Sequence, residues 1–442
     1  MHGPWAARQL YEQRVRRVAP QQCIDNLVIE ARAEVSRHPK ARGIAARSME
    51  IFRRCDLEKE IRAAGLPPEH VAFFRGRTLD DPDYVRTQPA SPDEAEYTPS
   101  PGLICSQDAL ERVLSERVGT HLRRGVRLLS FRPEGPDIVA TLSDTHAGTE
   151  FELRARWLVG CDGARSTVRA GSGIGMSGPV ALGEFLSVRF EAPLGPVVAD
   201  RASASYFLVR GGGFMAVDND RWWIYQHPLG SGDRAAELDA VQLIRSGAGI
   251  AELEVTVHDT LTWRMDAQLA DAYRRGRVLL AGDAAHTVPP TGGHGMNVGI
   301  GDADNLAWKL AAVLSGRAGE SLLDSYESER RPLARQVIDI ASDNARRDYR
   351  IDDQLLLSAN YAATPPLTPD GYRPSFAVGA RLPHAWSADG NSTLDLVGVR
   401  PAALAASRLP RELAAACGSS PDAVVVVRPD GHIDSVEDPA SA

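Results

Sequence analysis

The run Arg277-Val-Leu-Leu-Ala-Gly-Asp-Ala-Ala-His-Thr-Val-Pro-Pro-Thr-Gly-Gly-His-Gly-Met-Asn297 decides how this chain is expected to fold. Val278–Ala281 is a short, unbroken apolar stretch, the pattern of a strand buried on both faces of a parallel sheet. It stops at Gly282-Asp283, and doubly wound sheets take their ligands at the carboxyl ends of such strands. A carboxylate there can accept hydrogen bonds from sugar-type hydroxyls. Pro289-Pro290 stiffens the loop that follows. Gly292, Gly293 and Gly295 let backbone approach a flat ligand closely. A helix is expected from about Met296 or Gly301 to Leu314, its free N–H groups facing the loop. Such a terminus favours negative charge by about 0.3–1 kcal/mol when exposed. A bare strand, turn and helix would account for Gly-Asp alone, but not for the whole run. His286 and His294 do not have metal-site spacing, and His286 reads as a structural hydrogen-bonder.

Two further stretches point the same way. Trp157-Leu-Val-Gly-Cys-Asp-Gly-Ala-Arg-Ser-Thr-Val-Arg169 reads as an apolar strand, an Asp-Gly turn and a helix starting between Ala164 and Arg169. Leu27-Val-Ile-Glu30 reads as a strand ending in an acid, the usual ribose acceptor of dinucleotide folds. Arg32, Arg37, Lys40, Arg42 and Arg47 follow it and could neutralise a pyrophosphate; a solvated basic loop is the plainer reading. An amphipathic helix is expected near Ile44–Cys55.

A chain of 442 residues has room for two or three domains. We expect an α/β, Rossmann-like first domain that is discontinuous: residues 1–177, with 76–100 lent to a second domain, and again 268–363. Between them, 178–267 alternates as strands do, with Gly211-Gly212-Gly213 as a hairpin turn. A Pro-rich linker around Thr364–Pro374 leads to a short segment, 375–442, ending in the strand-like Ala423–Val427. The formal charge of -8 gives no reason to expect nucleic acid or an anionic membrane as partner. No apolar run is long enough to cross a bilayer, and no signal-type stretch opens the chain. The five scattered cysteines read as free thiols, so a cytoplasmic location is expected. Spacing supports no metal site and no redox Cys-x-x-Cys.

Gly282-Asp283 with its Pro-Pro-Thr-Gly loop, together with Cys161-Asp162-Gly163, resembles the class A FAD-dependent aromatic hydroxylases, the p-hydroxybenzoate hydroxylase-like family. Ala41-Arg-Gly-Ile-Ala-Ala-Arg-Ser-Met-Glu-Ile-Phe52 and Trp263-Arg-Met-Asp-Ala-Gln-Leu-Ala-Asp-Ala-Tyr273 are most similar to its phenolic and aromatic-polyketide branch. The resemblance covers about residues 25–350 and, more weakly, a thioredoxin-like tail. It implies that Glu30 holds the adenosine ribose, that Arg42 and Arg47 contact the flavin side, and that Gln107 reaches FAD from a helix start. It implies that Asp283 holds the ribityl chain. Pro290, Gly292, Gly293, Gly295, Met296 and Asn297 would border the isoalloxazine, with Asp162 and Arg165 in a turn near the cofactor and the reductant's approach path. The implied activity is hydroxylation of a small aromatic, phenolic or polyketide substrate with NAD(P)H and O2 through a flavin C4a-hydroperoxide. The chemistry is then the cofactor's, and no side chain is assigned a catalytic role.

The resemblance has one gap. The family opens on strand, G-x-G-x-x-G and helix, about twenty residues before the acid. Here no glycine stands between Gly3 and Gly43, and Trp5–Glu12 is helix-like and charged. Gly171-Ser-Gly-Ile-Gly175 has no strand before it and does not replace the loop. Each charge-assisted bond the loop would make is worth about 1.5–3 kcal/mol. The expectation is therefore weak FAD binding and exposed sheet edges, and the alternative function is an impaired remnant that keeps the fold.

Overall fold

The computed structural model describes residues 25–36, 38, 41–87, 94–346, 354–362, 367, 372–410, 413, 420 and 422–437. The two apolar runs expected to be buried strands lie side by side. Leu158–Gly160 and Val278–Leu280 pair in parallel, Leu158 opposite Val278 and Gly160 opposite Leu280. Arg274–Arg275 closes the other edge antiparallel. Val278, Leu279 and Leu280 are buried in a cluster with Leu306, Leu310, Tyr326 and Val337. Those partners come from the helices Gly295–Leu314 and Asp324–Arg346, whose apolar residues recur at helical spacing. A second parallel pair joins Val28–Glu30 to Leu122–Arg124. No described strand bridges the two pairs, and in a dinucleotide fold that position belongs to the first strand. Residues 1–24, the stretch in which the glycine loop is missing, lie outside the described residues. The sheet edges expected to be exposed lie among the described residues, and Val28 and Val278–Ala281 are buried.

The helix after the basic stretch covers Ala46–Arg54, shorter than expected at both ends. Ile44 is withdrawn from it because Gly43–Ile44 pairs antiparallel with Leu103–Ile104. Met49 and Phe52 bury one flank of this helix against Leu110, Leu114, Met296 and Ile300. The turn after Leu158–Gly160 becomes helical only at Thr167, and runs to Gly171. Ser166 is the N-cap, its Oγ accepting Arg169 N at 2.9 Å.

The β-rich region forms one seven-stranded sheet. Its order is Thr256–Met265, Gly183–Glu191, Trp222–Leu229, Gly213–Ala216, Ser205–Leu208, Phe73–Gly76 and Val85–Thr87. The expected glycine turn joins two of these strands. A Cβ on Gly212 would lie 2.1 Å from Gln226 O, and one on Gly213 2.2 Å from Tyr206 O, so only glycine fits there. Period-two alternation sends Val188, Phe190, Phe214, Trp223 and Tyr225 to one face, packed under the helix Ala240–Ala248. It sends Phe185, Ser187, Gln226, Met215, Phe207 and Trp263 to the other.

The C-terminal segment is a three-stranded antiparallel sheet of Ala402–Ala405, Val424–Val427 and Ile433–Glu437. Its Arg428–His432 turn is buried in the α/β part. Arg428 donates to both oxygens of Glu329, at 2.7 and 2.9 Å. Asp430 Oδ2 accepts Trp308 Nε1 at 3.1 Å and Asn305 Nδ2 at 3.2 Å. Among the described residues, no helix is long and apolar enough to cross a membrane.

Candidate cofactor and substrate site

The site is built around the turn that ends Val278–Leu280. Gly282 has φ +61°, a conformation that favours glycine, and its N–H donates to Asp302 Oδ2 at 3.0 Å. His286 Nε2 lies 2.7 Å from the same oxygen, and Arg330 Nε donates to Asp302 Oδ1 at 2.8 Å. Burial raises the Asp302 carboxyl, but His286 and Arg330 outweigh it and hold the group below its usual range. This ionised anchor fixes the turn and leaves Asp283 buried at its tip. Arg330 also donates to Val298 O at 2.9 Å and Tyr361 Oη at 3.0 Å, tying the turn to the following helix.

The glycine loop is clamped from behind. Pro290 O accepts Gly292 N and Gly293 N at 2.9 and 3.1 Å. Thr291 Oγ1 donates to Ala341 O at 2.5 Å, and Asn344 Nδ2 to Thr291 O at 3.0 Å. Gly293 has φ +71°, and a Cβ there would meet nothing within 4 Å, so the loop's surface is open at this point. The helix starts at Gly295, ahead of both expected starts, because His294 O already accepts Val298 N at 2.9 Å. Met296 packs into the apolar cluster with Ile44 and Met49. Asn297 is occupied with backbone: Oδ1 accepts Ala45 N, and Nδ2 donates to Gly43 O and Gly293 O, at 2.9, 3.1 and 2.8 Å. These two residues hold the loop in place. His294 is buried, its Nδ1 has no partner among the described residues, and burial pushes its imidazole down to about 4.

A second group gathers where Val28–Glu30 ends. Glu30 is buried, and its Oε1 accepts Arg32 N at 2.9 Å. Gln107, first residue of the helix Gln107–Val118, donates Nε2 to Glu111 Oε1 at 2.7 Å. Its own Oε1 is buried without a partner among the described residues. Glu111 is pushed up to about 7, by burial first and by the nearby Glu30 charge.

The remaining expected residues point elsewhere. Arg42 reaches the seven-stranded sheet, donating to Ala204 O and Ala216 O at 2.9 and 2.8 Å and to Ser205 Oγ at 2.8 Å. Arg47 pairs with Glu50 at 3.0 Å and donates to Asp430 O at 2.6 Å, inside the C-terminal seam. Asp162 spends its carboxylate on the helix below it, accepting Ser166 Oγ and, at 3.1 Å, Val168 N. Arg165 is exposed.

Sequence reasoning missed two groups. One is the Asp302 anchor, whose members are scattered over three elements with no shared spacing. The other lies on the sheet face opposite the helix Ala240–Ala248, where His38 meets Ser187 and Asp259. Among the described residues no cluster of His, Cys, Asp and Glu could hold a metal ion. The buried Asp283 carboxylate, the open Gly293 loop and the unpartnered Gln107 Oε1 fit a ligand with polyol, flat-ring and ribose parts, which FAD has.

Known proteins point to the same cofactor. A family model described as FAD binding domain matches residues 19–341. Tetracenomycin B2 monooxygenase-dioxygenase of Streptomyces olivaceus is 34% identical over 85% of this chain and 78% of its own length. Aklavinone 12-hydroxylase of Streptomyces peucetius is 35% identical over 84% of each chain. The solved ternary complex of aklavinone-11 hydroxylase with FAD and aklavinone superposes with a TM-score of 0.87 at 29% identity, over 99% of this chain and 94% of that one. By the extent of the family match and the identity to these enzymes, the chain belongs to the FAD-binding-domain family and is an FAD-dependent monooxygenase with the class A fold.

Proposed function

We propose that the chain uses NAD(P)H and O2 to hydroxylate a planar, largely apolar phenol or aromatic polyketide. The observation that carries this reading is the half-buried sheet face of Phe185, Phe207, Met215 and Trp263, turned toward the segment that bears His38 and Arg42. A flat apolar ring can bury its area against such a face at about 25 cal/mol per Å². The names of the relatives above support the same class. FAD, when bound, supplies electron transfer from NAD(P)H and activation of O2 for insertion of one oxygen atom. Asp283 and the Gly292–Gly295 loop would hold its ribityl and ring parts, and Glu30 with Gln107 the adenosine end. The chain's own work is to position the substrate ring and exclude water. Its sequence carries no second nucleotide fingerprint, so the reductant is expected to dock transiently.

The test is NAD(P)H oxidation by the FAD-loaded chain in the presence of candidate substrates. Polycyclic phenols should accelerate it. If small amines or aliphatic acids do so and phenols do not, the substrate class is wrong. A second reading, a chain that keeps the fold but holds FAD weakly, rests on the glycine-free run between Gly3 and Gly43. Purification with nearly one FAD per chain would eliminate it. If instead the chain is colourless, grafting a strand–GxGxxG–helix segment over residues 1–24 should restore the flavin.

A further inference from the structure

Two stacked rings at the C-terminal seam carry complementary hydrogen-bonding atoms that the flavin chemistry does not use. Tyr361 and His432 lie with ring centroids 3.9 Å apart and planes tilted by 20°. Tyr361 Oη accepts Arg330 Nη1 at 3.0 Å. A guanidinium only donates, so the Tyr361 hydroxyl proton is left for another partner. His432 Nδ1 lies 2.9 Å from Gly379 O. A carbonyl only accepts, so the ring proton sits on Nδ1 and Nε2 bears the lone pair. Burial pushes the Tyr361 phenol up and, with the Arg47 charge, the His432 imidazole well down, which keeps each in that form. Among the described residues, nothing accepts the Tyr361 proton and nothing donates to His432 Nε2.

Both rings line one cavity, together with Arg47, Arg330, Asp304 and Asn297. The space in it open to the centre of a water molecule is about 20 Å³, too little for a substrate ring. A buried water needs room for about one sphere of its own size and two to four polar partners. The occupant must accept from Tyr361 and donate to His432. Chloride only accepts. Ammonium only donates, and it would face the Arg47 and Arg330 charges. Water does both, and the Asp304 carboxylate can accept its second hydrogen.

We propose that this cavity holds an ordered water that bridges Tyr361 Oη to His432 Nε2 and ties the C-terminal segment to the Gly282-Asp283 turn. Arg330 carries the path onward, from Tyr361 Oη to Asp302 Oδ1 at 2.8 Å. Asp302 Oδ2 then holds the Gly282 N–H at 3.0 Å. His432 stands at the end of the buried Arg428–His432 turn, so the water adds the C-terminal segment to the supports of the Asp302 anchor. Nothing in this path depends on which substrate the chain takes.

The test is a crystal structure of the FAD-loaded chain at a resolution that shows ordered waters, with a bromide-soaked crystal beside it. One peak should lie about 2.7–3.2 Å from both Tyr361 Oη and His432 Nε2, without bromide signal. A structure with no such peak, or with bromide in its place, overturns the proposal. His432→Phe keeps a ring against Tyr361 and removes the acceptor, so the peak should go. If that variant does not fold, Tyr361→Phe removes the donor, keeps the stack and should lose the peak as well. Deuterium exchange, read on the peptide that spans Gly282, tests the tie. In FAD-loaded His432→Phe the Gly282 amide should exchange about two- to tenfold faster than in wild type, the loss of one neutral hydrogen bond in the path. Leu404→Ala loosens the C-terminal apolar cluster away from the cavity and should leave that rate unchanged. A lost peak with unchanged Gly282 exchange, or equal acceleration in His432→Phe and Leu404→Ala, overturns the tie.

Discussion

Two buried polar regions of this molecule look alike by composition and differ in how completely they are satisfied. In the seam between the C-terminal segment and the α/β helices, most charged groups meet their opposites. Arg428 bridges Glu329 and Asp430, Lys309 Nζ donates to Glu329 at 2.8 Å, and Arg381 grips Glu50, with Tyr372 Oη accepting at 2.7 Å. At the proposed cofactor site, Gln107 Oε1 and His294 Nδ1 are buried without partners among the described residues, and a Cβ on Gly293 would meet open space. Burying a polar atom unpaired costs about 1–3 kcal/mol, so a ligand that completes such an atom gains by it. The seam also keeps a buried unpartnered atom, Asn305 Oδ1, among the described residues, so it is the open loop surface beside the unpartnered atoms, and not the missing partner alone, that sets the binding site apart.

Breaking the seam should give the largest effect. Arg428→Ala leaves Glu329 and Asp430 buried with too little positive charge, and removing one partner of a buried pair costs about 3–5 kcal/mol. Urea denaturation should show that loss. A change below about 1 kcal/mol would mean that the seam contributes little beyond its apolar contacts.

The same seam should fail in acid. Burial raises the carboxyls of Asp430, Glu329 and Glu50, but Arg428, Lys309 and Arg381 outweigh it and hold all three below their ordinary values of 3.8 and 4.5. A group whose folded-state pKa is depressed contributes stability above its unfolded pKa and loses it as pH falls. The contribution should therefore be complete above about pH 5 and drain away below about pH 4. Urea midpoints measured between neutral and acid pH should fall steeply in wild type and less steeply in Arg428→Ala. Parallel curves would show that the seam carboxylates do not dominate acid sensitivity.

At the site, the effect should fall on ligand affinity rather than on the apo chain. Asp283→Ala removes a buried carboxylate at the tip of the turn, and should weaken FAD by about 1.5–3 kcal/mol, one charge-assisted hydrogen bond. Flavin fluorescence titration reads this directly, and unchanged affinity would remove Asp283 from the site.

Where one short segment supplied both pattern and chemistry, the sequence was readable. The apolar strand at Val278, the Gly282-Asp283 turn, the helix to Leu314 and the Gly211–Gly213 hairpin all follow from local periodicity and from glycine's access to positive φ. Joints between distant segments left no such trace. Arg42 could be read as a cofactor ligand because a guanidinium suits a phosphate as well as it suits the carbonyls of Ala204 and Ala216 that it meets. Asp302, His286 and Arg330 come from a helix, a short strand and a second helix, and only folding places His286 and Arg330 within 2.7–2.8 Å of Asp302. His38 stood inside a stretch noticed for its arginines, while its partners Ser187 and Asp259 lie 149 and 221 residues away.

The smallest predicted effect is the sharpest test of the comparison. Gln107 touches both kinds of environment, since its Nε2 donates to Glu111 while its Oε1 is left without a partner. Gln107→Met keeps the side chain's length and removes both functions. Glu111 loses a donor, but burial has already pushed its carboxyl up to about 7, so near neutral pH it can take a proton in place of bearing an unpaired charge. The apo chain should therefore change in stability by no more than about 1 kcal/mol. FAD affinity should fall by about 0.5–1.5 kcal/mol, the worth of one neutral hydrogen bond. The opposite split, a large stability loss with unchanged flavin affinity, would show that Gln107 belongs with the structural joints and that its unpartnered oxygen marks no ligand.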